Sequence, residues 1–318
     1  MRRSLLILGA TSLVGSDFVE RRPRGLVCVA AGRTHPASIG LRVDGFVPTS
    51  LVDEEAVRRL VRDSSADTVV NFAARTDVDG CESERPDRWP SDPGVLARSS
   101  AWTLNAELPR WVAEECAARE ARFIQLSTDY VFDGGRGPYA EAEPPSPWGP
   151  RVSWYGYSKG HGEIATLRSG PLASVIRISF PYRFGHPQKL DFLRTVLRRY
   201  AEGTLFPLYL DQGITPTWIP DVSAIIARLL ASDEGGTFHV ASPSPTTPFD
   251  FAASALRAAG RSTDGLRSSS LEAELARPGR TPRPLHGGLR IDRLALMEFH
   301  PLDYLEGGRR VVAQEGKP

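Results

Sequence analysis

The stretch Leu5-Leu-Ile-Leu8-Gly9-Ala-Thr-Ser12-Leu-Val-Gly15 decides the fold class of this 318-residue chain. An apolar run with the length of a strand meets Gly9 and passes into an apparent helix, which is the setting of a dinucleotide-binding glycine loop. Gly9 permits a tight turn, Gly15 permits close packing of helix on strand, and the helix N-terminus offers free N–H groups to a pyrophosphate. Ser12 stands where a further glycine is usual, so its side chain either crowds the pyrophosphate or donates a hydroxyl to it.

Strand and helix patterns alternate along the first half of the chain. Helical periodicity marks Glu54–Val61 and Leu104–Ala118. The apolar runs that predict buried parallel strands are Leu5–Leu8, Leu26–Ala31, Thr68–Ala73, Phe123–Leu126 and Val175–Ile178. This alternation predicts an α/β fold with a Rossmann-type doubly wound parallel sheet, whose ligands bind beyond the carboxyl ends of the strands.

After about Ile178 the pattern becomes irregular and rich in Arg and Pro, which indicates a smaller C-terminal substrate lobe. We therefore expect a dinucleotide-binding domain at 1–178, to which the chain returns at 203–232. The remaining segments, 179–202 and 233–318, are assigned to the substrate lobe.

Composition excludes several classes of protein. Hydrophobic residues are 41% and charged residues 24%, as in ordinary globular domains, and the net charge of +1 gives no general basic face for nucleic acid. Cys28, Cys81 and Cys116 are odd in number and widely spaced, which suits neither a disulfide framework nor a metal site. The apolar run at the start is too short for a signal peptide or a membrane span, so we expect a cytoplasmic protein without membrane association.

Two short segments bear on the cofactor. The second strand ends in Gly32-Arg33 without the acidic residue that accepts hydrogen bonds from an NAD ribose. Arg33 either faces a 2′-phosphate or is a solvated arginine, and we expect NADPH rather than NADH. Ala73 and Ala74 stand at the end of the run Thr68–Ala73, where they either let the backbone lie along a nicotinamide ribose or pack in the core. The loop residues expected to contact the cofactor are Gly9, Thr11, Ser12, Leu13, Val14 and Gly15.

Tyr155-Gly-Tyr-Ser-Lys159 places a phenol and an ammonium on one face of a helix. A phenol whose pKa is near 10 is a poor proton donor at neutral pH, and a neighbouring positive charge lowers that pKa toward the working range. Thr128, just after the run Phe123–Leu126, is expected to hydrogen-bond a substrate carbonyl. Ser127 is the alternative, because a shift of one residue reverses the side-chain direction.

Several longer segments carry a family resemblance. The glycine loop and the Tyr155-x-x-x-Lys159 pair occur together with Asn71-Phe-Ala-Ala-Arg-Thr76-Asp-Val-Asp79-Gly-Cys-Glu82 and Ser127-Thr-Asp-Tyr-Val-Phe132. This combination resembles the extended short-chain dehydrogenase/reductase family and, within it, the dTDP-4-dehydrorhamnose reductases. The similarity continues through Asp211-Gln-Gly-Ile-Thr-Pro-Thr217 and Arg283-Pro284.

The resemblance implies roles for individual residues. Tyr155 would supply a proton, and Thr128 would hydrogen-bond the carbonyl. Lys159 would lower the pKa of Tyr155 and orient the ribose. Asn105 matches the helix asparagine that helps to organise such sites. The residues implied to contact substrate are Arg75, Thr76, Asp129, Tyr130, Gln212, Thr217 and Arg283.

The chain also departs from the family pattern. Ser12 replaces the middle glycine, Ser50 stands where an Asp often contacts adenine, and the loop Glu84–Ser100 is longer than in the compact rhamnose enzymes. Arg75 replaces a Tyr or His and either contacts substrate or is an exposed rim arginine. Sugar-nucleotide 4,6-dehydratases have Glu where this chain has Tyr130, so no dehydration is expected.

The resemblance implies NADPH-dependent reduction of a keto group, at C4 of a nucleotide-linked 4-keto-6-deoxy sugar. Two alternatives stay open: reduction of another carbonyl metabolite, such as a natural-product intermediate, and a non-catalytic NADP-binding regulatory subunit. A homodimer is also left open.

We expect the lobe to close over the diphosphate of the substrate, with Gln212 and Thr217 lining the same cleft, although codon bias alone would also explain arginines there. The lobe arginines available for a diphosphate are Arg183, Arg194, Arg198, Arg277, Arg280 and Arg283.

Overall fold

A computed structural model describes residues 4–89 and 93–314. Its main feature is a sheet of seven strands, all parallel. The strands are β1 (Ser4–Leu8), β2 (Val27–Gly32), β3 (Gly45–Pro48), β4 (Thr68–Asn71), β5 (Arg122–Thr128), β6 (Ser174–Ile178) and β8 (Gly236–Val240), while β7 (Leu208–Tyr209) and β9 (Ser268–Ser269) form a separate pair.

Helices connect the strands and cover both faces of the main sheet. In chain order they are α1 (Leu13–Arg21), α2 (Glu54–Asp63), α3 (Val78–Glu82), α4 (Pro93–Ala97), α5 (Ser100–Trp102), α6 (Leu108–Ala118), α7 (Trp154–Leu167), α8 (Phe192–Ala201), α9 (Ile219–Leu230), α10 (Pro248–Ala258), α11 (Leu271–Leu275), α12 (Asp292–Leu296) and α13 (Tyr304–Gln314). A π-helical turn, Thr103–Glu107, joins α5 to α6.

The sheet order β3-β2-β1-β4-β5-β6-β8 reverses direction between β1 and β4. Such a switch point leaves a crevice outside the carboxyl ends of the strands, and this is where open α/β sheets bind ligands. One core packs α1 and α9 on one face of the sheet, and a second core packs α2 and α6 on the other. The predicted Rossmann-type fold is therefore observed.

The start of α7 is specified locally. Ser153 caps the helix, because its side chain accepts a hydrogen bond of 3.2 Å from the backbone N–H of Gly156. Gly156 also permits close approach to the end of β5, since a Cβ atom there would lie 1.8 Å from the carbonyl oxygen of Tyr130. The helix that carries Tyr155 and Lys159 is thereby held against the strand end that carries Thr128.

Strand β8 contradicts the boundary expected at residue 233. Gly236–Val240 pairs with β6 in the main sheet, and its Phe238 and Val240 side chains are buried in the core with α1 and α9. The sequence did not reveal this strand because it is short and lies in the Arg- and Pro-rich region. Within the expected return 203–232, α9 packs on α1, whereas β7 lies outside the main sheet.

The C-terminal part has a core of its own. Leu193 and Leu197 of α8, Phe251 of α10 and Val311 of α13 are buried together there. This part adjoins the carboxyl edge of the sheet, because Tyr182 and Thr217 pair through their backbones just beyond β6. Among the helices at 4–89 and 93–314, none is long and apolar enough to cross a membrane.

Candidate active site

A continuous cleft lies beyond the carboxyl ends of β1, β4, β5 and β6. A cavity of about 410 Å³ is lined by Thr128, Tyr155 and Lys159, among others. A second cavity, of about 630 Å³, is lined by the glycine loop and Arg33. The residues that line both cavities are Ser12, Phe72, Ala74, Thr76 and Lys189. Of the residues predicted to contact the cofactor, Gly15 alone lines neither cavity.

The glycine loop forms the predicted tight turn. Gly9 has a φ of +75°, and a Cβ atom there would lie 2.7 Å from the backbone nitrogen of Ala73. Ser12 caps α1, because its Oγ accepts a 3.0 Å hydrogen bond from the backbone N–H of Gly15. The Ser12 side chain is thus folded onto its own helix, and its hydroxyl hydrogen stays available to donate into the cleft.

Arg33 follows β2 and is exposed at the far end of the cleft from Tyr155. Ser50, which stands in place of the usual Asp, lines the same cavity. An exposed guanidinium beside a neutral hydroxyl favours a ligand phosphate over a bare ribose at this end.

Tyr155 and Thr128 meet at the other end of the cleft. The phenol of Tyr155 is hydrogen-bonded to the side chain of Thr128, and only 8% of Tyr155 is exposed. The pKa of this phenol is not brought toward the working range, as the neighbouring ammonium of Lys159 was expected to do. Burial has the largest effect and raises the pKa of Tyr155 well above its ordinary value of 10.0, so the phenol is fully protonated at neutral pH.

Lys159 is buried and held at a defined position. Its Nζ donates a 2.5 Å hydrogen bond to the carbonyl oxygen of Leu126, at the end of β5. Burial lowers the pKa of the Lys159 ammonium to about 8, and the nearby carboxylate of Glu163 opposes that shift. Lys159 therefore still carries its charge at neutral pH.

Asp129 is buried directly beneath the hydroxyl pair. Its carboxylate accepts hydrogen bonds from the hydroxyls of Ser179 (2.6 Å) and Thr128 (3.3 Å). Burial raises the pKa of Asp129 to about 6. Asp129 lines the 410 Å³ cavity, as expected for a substrate contact, but its oxygens already have partners within the protein.

Asn105, which was expected to help to organise the catalytic site, does so without contacting Tyr155 or Thr128. It lies in the π-helical turn, and its Oδ1 accepts from the backbone N–H of Arg75 (3.0 Å). Its Nδ2 donates to the carbonyl oxygen of Arg75 (3.0 Å) and to Ser158 (3.2 Å). Asn105 is therefore a positioning residue that ties the segment after β4 to α7.

Arg75 is half-buried and lines the 630 Å³ cavity, but its guanidinium already has partners within the protein. Its guanidinium is paired with Glu84 and hydrogen-bonded to Ser100. Glu84 also accepts from Ser99 (2.8 Å) and from the backbone N–H of Ala101 (3.0 Å). The long loop Glu84–Ser100 is thereby anchored at both ends, while its residues 90–92 lie outside the described part.

Tyr130, Gln212 and Arg283 come together where the C-terminal part meets the cleft. The phenol of Tyr130 is hydrogen-bonded to both Arg283 and Gln212. Arg283 also donates to both carboxylate oxygens of Asp79, at 2.7 and 2.8 Å. Three of the predicted substrate residues thus form one cluster, and Thr76 lies exposed on the cleft wall.

Thr217 was expected in the same cleft, and that expectation is wrong. Its Oγ1 accepts from the backbone N–H of Ser179 (3.0 Å) and donates to the carbonyl oxygen of Val240 (2.6 Å). The side chain is completely buried, because it joins the ends of β6 and β8.

Two of the six lobe arginines hold the fold together. Arg183 contacts Asp17 and Glu20 of α1, and Arg194 pairs with Asp191. Only Arg280 and Arg283 of the predicted set line a cavity of about 360 Å³ beside Tyr130. Arg183 and Arg194 are therefore used within the protein and are not free for a diphosphate.

Lys189 is the site residue that sequence reasoning missed. It is exposed on the segment after β6 and lines both cavities. His186 ties this segment to the glycine loop by a 3.3 Å contact with the carbonyl oxygen of Thr11. The available signal was the rarity of lysine in an Arg-rich chain, where Lys159 and Lys189 are two of only three.

Comparison with known proteins places the chain in a family. A family model described as the RmlD substrate binding domain matches residues 1–315. The chain belongs to this family. The predicted resemblance to dTDP-4-dehydrorhamnose reductases is confirmed by members of the RmlD family that carry this name.

Three curated proteins are similar to this chain over most of its length. A protein of Haloferax volcanii named as a probable low-salt glycan biosynthesis reductase is 35% identical over 281 residues, which are 87% of each chain. The dTDP-4-dehydrorhamnose reductase of Mycolicibacterium smegmatis is 32% identical, over 98% of this chain and 86% of its own. The methionine adenosyltransferase 2 subunit beta of Rattus norvegicus is 31% identical, over 79% of this chain and 70% of its own.

A solved structure confirms the fold. The crystal structure of dTDP-4-dehydrorhamnose reductase from Bacillus anthracis, in complex with NADP, superposes with a TM-score of 0.79. The match is 24% identical in sequence and covers 99% of this chain and 100% of the other. The Rossmann-type architecture with its C-terminal lobe is therefore common to both.

Proposed function

We propose that this chain reduces a keto group with NADPH, at C4 of a nucleotide-linked 4-keto-6-deoxy sugar. The observation that carries the proposal is the hydrogen-bonded hydroxyl pair of Tyr155 and Thr128 beside the buried ammonium of Lys159. The pair lies in a cleft that continues to the glycine loop and Arg33. Relatives named as reductases support the same chemistry.

The cleft residues fit a phosphorylated dinucleotide. The capped N-terminus of α1 offers N–H groups to a pyrophosphate, and the ammonium of Lys189 lies over the same part of the cleft. Arg33 would hold a 2′-phosphate at one end, and Lys159 would hold ribose hydroxyls at the other. Because each part of NADPH meets a group of matching charge or polarity, these residues support the expected cofactor.

NADPH, when bound, supplies the hydride that reduces the carbonyl carbon. The phenol of Tyr155 donates its proton to the carbonyl oxygen, which becomes the hydroxyl of the product, and solvent returns the proton. Thr128 donates its hydroxyl hydrogen to the same oxygen, and in doing so gives up its 3.3 Å hydrogen bond to Asp129. Burial keeps Tyr155 protonated before the reaction, and Lys159, one helical turn away, stabilises the phenolate that remains.

The substrate would lie across Tyr130 with its diphosphate toward Arg283. The 360 Å³ cavity beside this arginine is also lined by Arg151, Arg280 and His286. Guanidinium groups match phosphate oxygens in charge and in geometry, so the cavity fits a nucleoside diphosphate. Tyr130 in place of a carboxylate leaves no general base there, which supports reduction without dehydration.

A substrate panel tests the proposal. Loss of NADPH absorbance is followed with nucleotide-linked 4-keto-6-deoxy sugars and with unlinked ketones. Turnover of the linked sugars alone supports the proposal. Turnover of unlinked ketones, combined with no calorimetric binding of any nucleoside diphosphate, would indicate that the substrate is another carbonyl metabolite.

A regulatory subunit is the second candidate, favoured by the similarity to the methionine adenosyltransferase 2 subunit beta. This candidate predicts NADPH binding without turnover of any ketone. The buried Tyr155–Thr128 pair argues against it, because a protein that only binds the cofactor has no use for a proton donor.

Homodimeric assembly and a cytoplasmic location remain predictions. Light scattering on the purified chain and fractionation of cells that express it would test them.

A further inference from the structure

The hydroxyl of Ser127 is buried without a hydrogen bond. Over residues 4–89 and 93–314, the buried side-chain polar atoms without a partner are Trp111 Nε1, Ser127 Oγ and the Tyr182 hydroxyl. Of these three residues, Ser127 is the one that lines the 410 Å³ cavity. Only 3% of Ser127 is exposed, so water does not freely solvate the group. A polar atom in this state is unfavourable unless a ligand supplies its partner.

Strand β5 places this hydroxyl beside Lys159. Ser127 directly follows Leu126, whose carbonyl oxygen accepts from the Lys159 ammonium. Its register partner on β6 is Arg177, which forms an ion pair with Glu163 of α7. Because register partners in a sheet share a face, Ser127 lies on the α7 side of the sheet. Lys159 and Ser127 therefore border the same part of the cleft.

The substrate carbonyl is not the natural partner of Ser127. Thr128 is the residue whose side chain is hydrogen-bonded to Tyr155, whereas Ser127 Oγ has no partner in the protein. The part of the cleft beside Lys159 is where the proposed function places the nicotinamide ribose. A hydroxyl there faces two kinds of polar group, the ribose hydroxyls and the nicotinamide carboxamide.

We propose that Ser127 Oγ hydrogen-bonds the nicotinamide-nucleoside half of the bound cofactor and is left unsatisfied by the protein itself. This inference rests on the proposed function. It has an unusual thermodynamic consequence, because the same hydroxyl lowers the stability of the ligand-free protein and raises its affinity for the cofactor. Removing it should therefore change these two quantities in opposite directions.

The test compares the full-length wild-type chain with Ser127→Ala and Ser174→Ala. Ser174 is a matched control: it is also fully buried on a strand, but its hydroxyl donates to the carbonyl oxygen of Leu172 (3.2 Å) at the opposite edge of the sheet. Melting temperatures are measured without ligand. Dissociation constants are measured by calorimetry for NADPH, for 2′-phospho-ADP-ribose and for 2′,5′-ADP.

Ser127→Ala is expected to raise the melting temperature and to weaken NADPH binding by about tenfold, while leaving 2′,5′-ADP binding unchanged. Ser174→Ala should lower the melting temperature and leave all three affinities unchanged. If 2′-phospho-ADP-ribose binding weakens as well, the partner of Ser127 is the ribose; if only NADPH binding weakens, the partner is the carboxamide.

Three outcomes would overturn the inference: unchanged NADPH affinity, equal weakening of 2′,5′-ADP, or a lower melting temperature in Ser127→Ala. Each of these leaves the proposed function intact as long as the wild type binds NADPH. If the wild-type chain binds no NADPH, both the proposed function and this inference are refuted.

Discussion

Tyr155 and Thr128 bring two hydroxyl groups to a single point in the cleft. The phenol is too buried to ionise at neutral pH, which suits a proton donor rather than a base. Beneath them, Asp129 accepts from the Thr128 hydroxyl and so orients it. The chemistry of this site therefore depends on which residue holds each hydroxyl hydrogen.

Replacing Tyr155 by Phe removes the proton donor and keeps the ring. We expect kcat to fall by about a hundredfold or more, as is typical when a general acid is lost. NADPH affinity, measured by calorimetry, should stay close to that of the wild type. Tyr157→Phe is the control, because Tyr157 packs among Trp102, Trp148 and Trp154 and does not line the cleft. Wild-type turnover in Tyr155→Phe would refute the mechanism.

Arg33 is expected to distinguish NADPH from NADH. Arg33→Ala should weaken NADPH binding by about tenfold to a hundredfold, the range for a lost hydrogen bond to a charged group, and leave NADH binding nearly unchanged. The control is Arg24→Ala, which removes an equally exposed charge just before β2, at the opposite edge of the sheet. An equal loss for both cofactors would mean that Arg33 supports the structure of the loop instead.

Asp129 makes stability depend on pH. Its pKa in the folded chain is about 6, above the ordinary 3.8, so the protonated carboxyl stabilises the fold fully below pH 3.8. This contribution, roughly 3 kcal/mol, is lost as the pH rises through 6. Asp129→Asn cannot ionise, so its free energy of unfolding relative to the wild type should increase between pH 4 and 7. Urea titrations at each pH measure this difference, and a constant difference would show that the carboxyl does not titrate there.

At the scale of elements, α7 packs closely against the end of β5 because one of its residues is a glycine. Gly156 has no side chain, and this absence lets the helix lie against the carbonyl oxygen of Tyr130. The helix also begins one residue before Tyr155, because Ser153 caps it. Both features place the phenol at the end of β5.

Gly156→Ala should therefore displace α7 from β5. The added Cβ would lie 1.8 Å from the Tyr130 oxygen, a distance that forces the backbone to move. We expect a loss of stability of about 1–3 kcal/mol, typical of overpacking, together with a clear fall in kcat. Gly149→Ala is the control, because the nearest atom to its added Cβ, the carbonyl oxygen of Pro147, would be 3.9 Å away. Thermal melts measure the loss of stability, and turnover assays measure the fall in kcat. Equal values for the two variants would contradict the expected displacement of α7.

At the scale of the whole molecule, one ion pair joins the two halves across the mouth of the cleft. Arg283 belongs to the C-terminal part, and Asp79 lies on α3 of the Rossmann part. Because Arg283 also contacts Tyr130, closure of the lobe and recognition of an anionic substrate involve the same guanidinium.

Substitutions of the two partners separate these roles. Arg283→Ala should raise KM for a nucleotide-linked sugar by about tenfold or more and leave KM for NADPH unchanged, because a phosphate contact is lost. Asp79→Asn breaks the same ion pair but keeps the cation, so it should leave KM for the sugar unchanged or lower it. Steady-state kinetics with both substrates measure this, and an equal rise in both variants would assign Arg283 a purely structural role.

The main strands were predictable because each is a local apolar run that is buried on both faces. For the five predicted runs, each end lies within two residues of the observed one, as with Phe123–Leu126 against Arg122–Thr128, whereas β3 matches none of these runs. Strand β8 was missed, since its pairing with β6 depends on a segment about sixty residues earlier. Asn105 and Arg75 lie near the site as expected, whereas Thr217 is buried away from the cleft, and the partners of all three were not predictable from their neighbours in sequence.

The sequence by itself determined the fold class, the glycine turn and the Tyr155–Lys159 spacing, because each depends on residues within one or two turns of the chain. Only the tertiary structure decided which polar groups are free for a ligand. Asn105 and Thr217 were found to be hydrogen-bonded within the protein, whereas Lys189 lines the cleft and Ser127 Oγ has no partner in the protein. The physical reason is that a buried polar atom must find its partner in space, and in a doubly wound sheet that partner comes from another strand or helix.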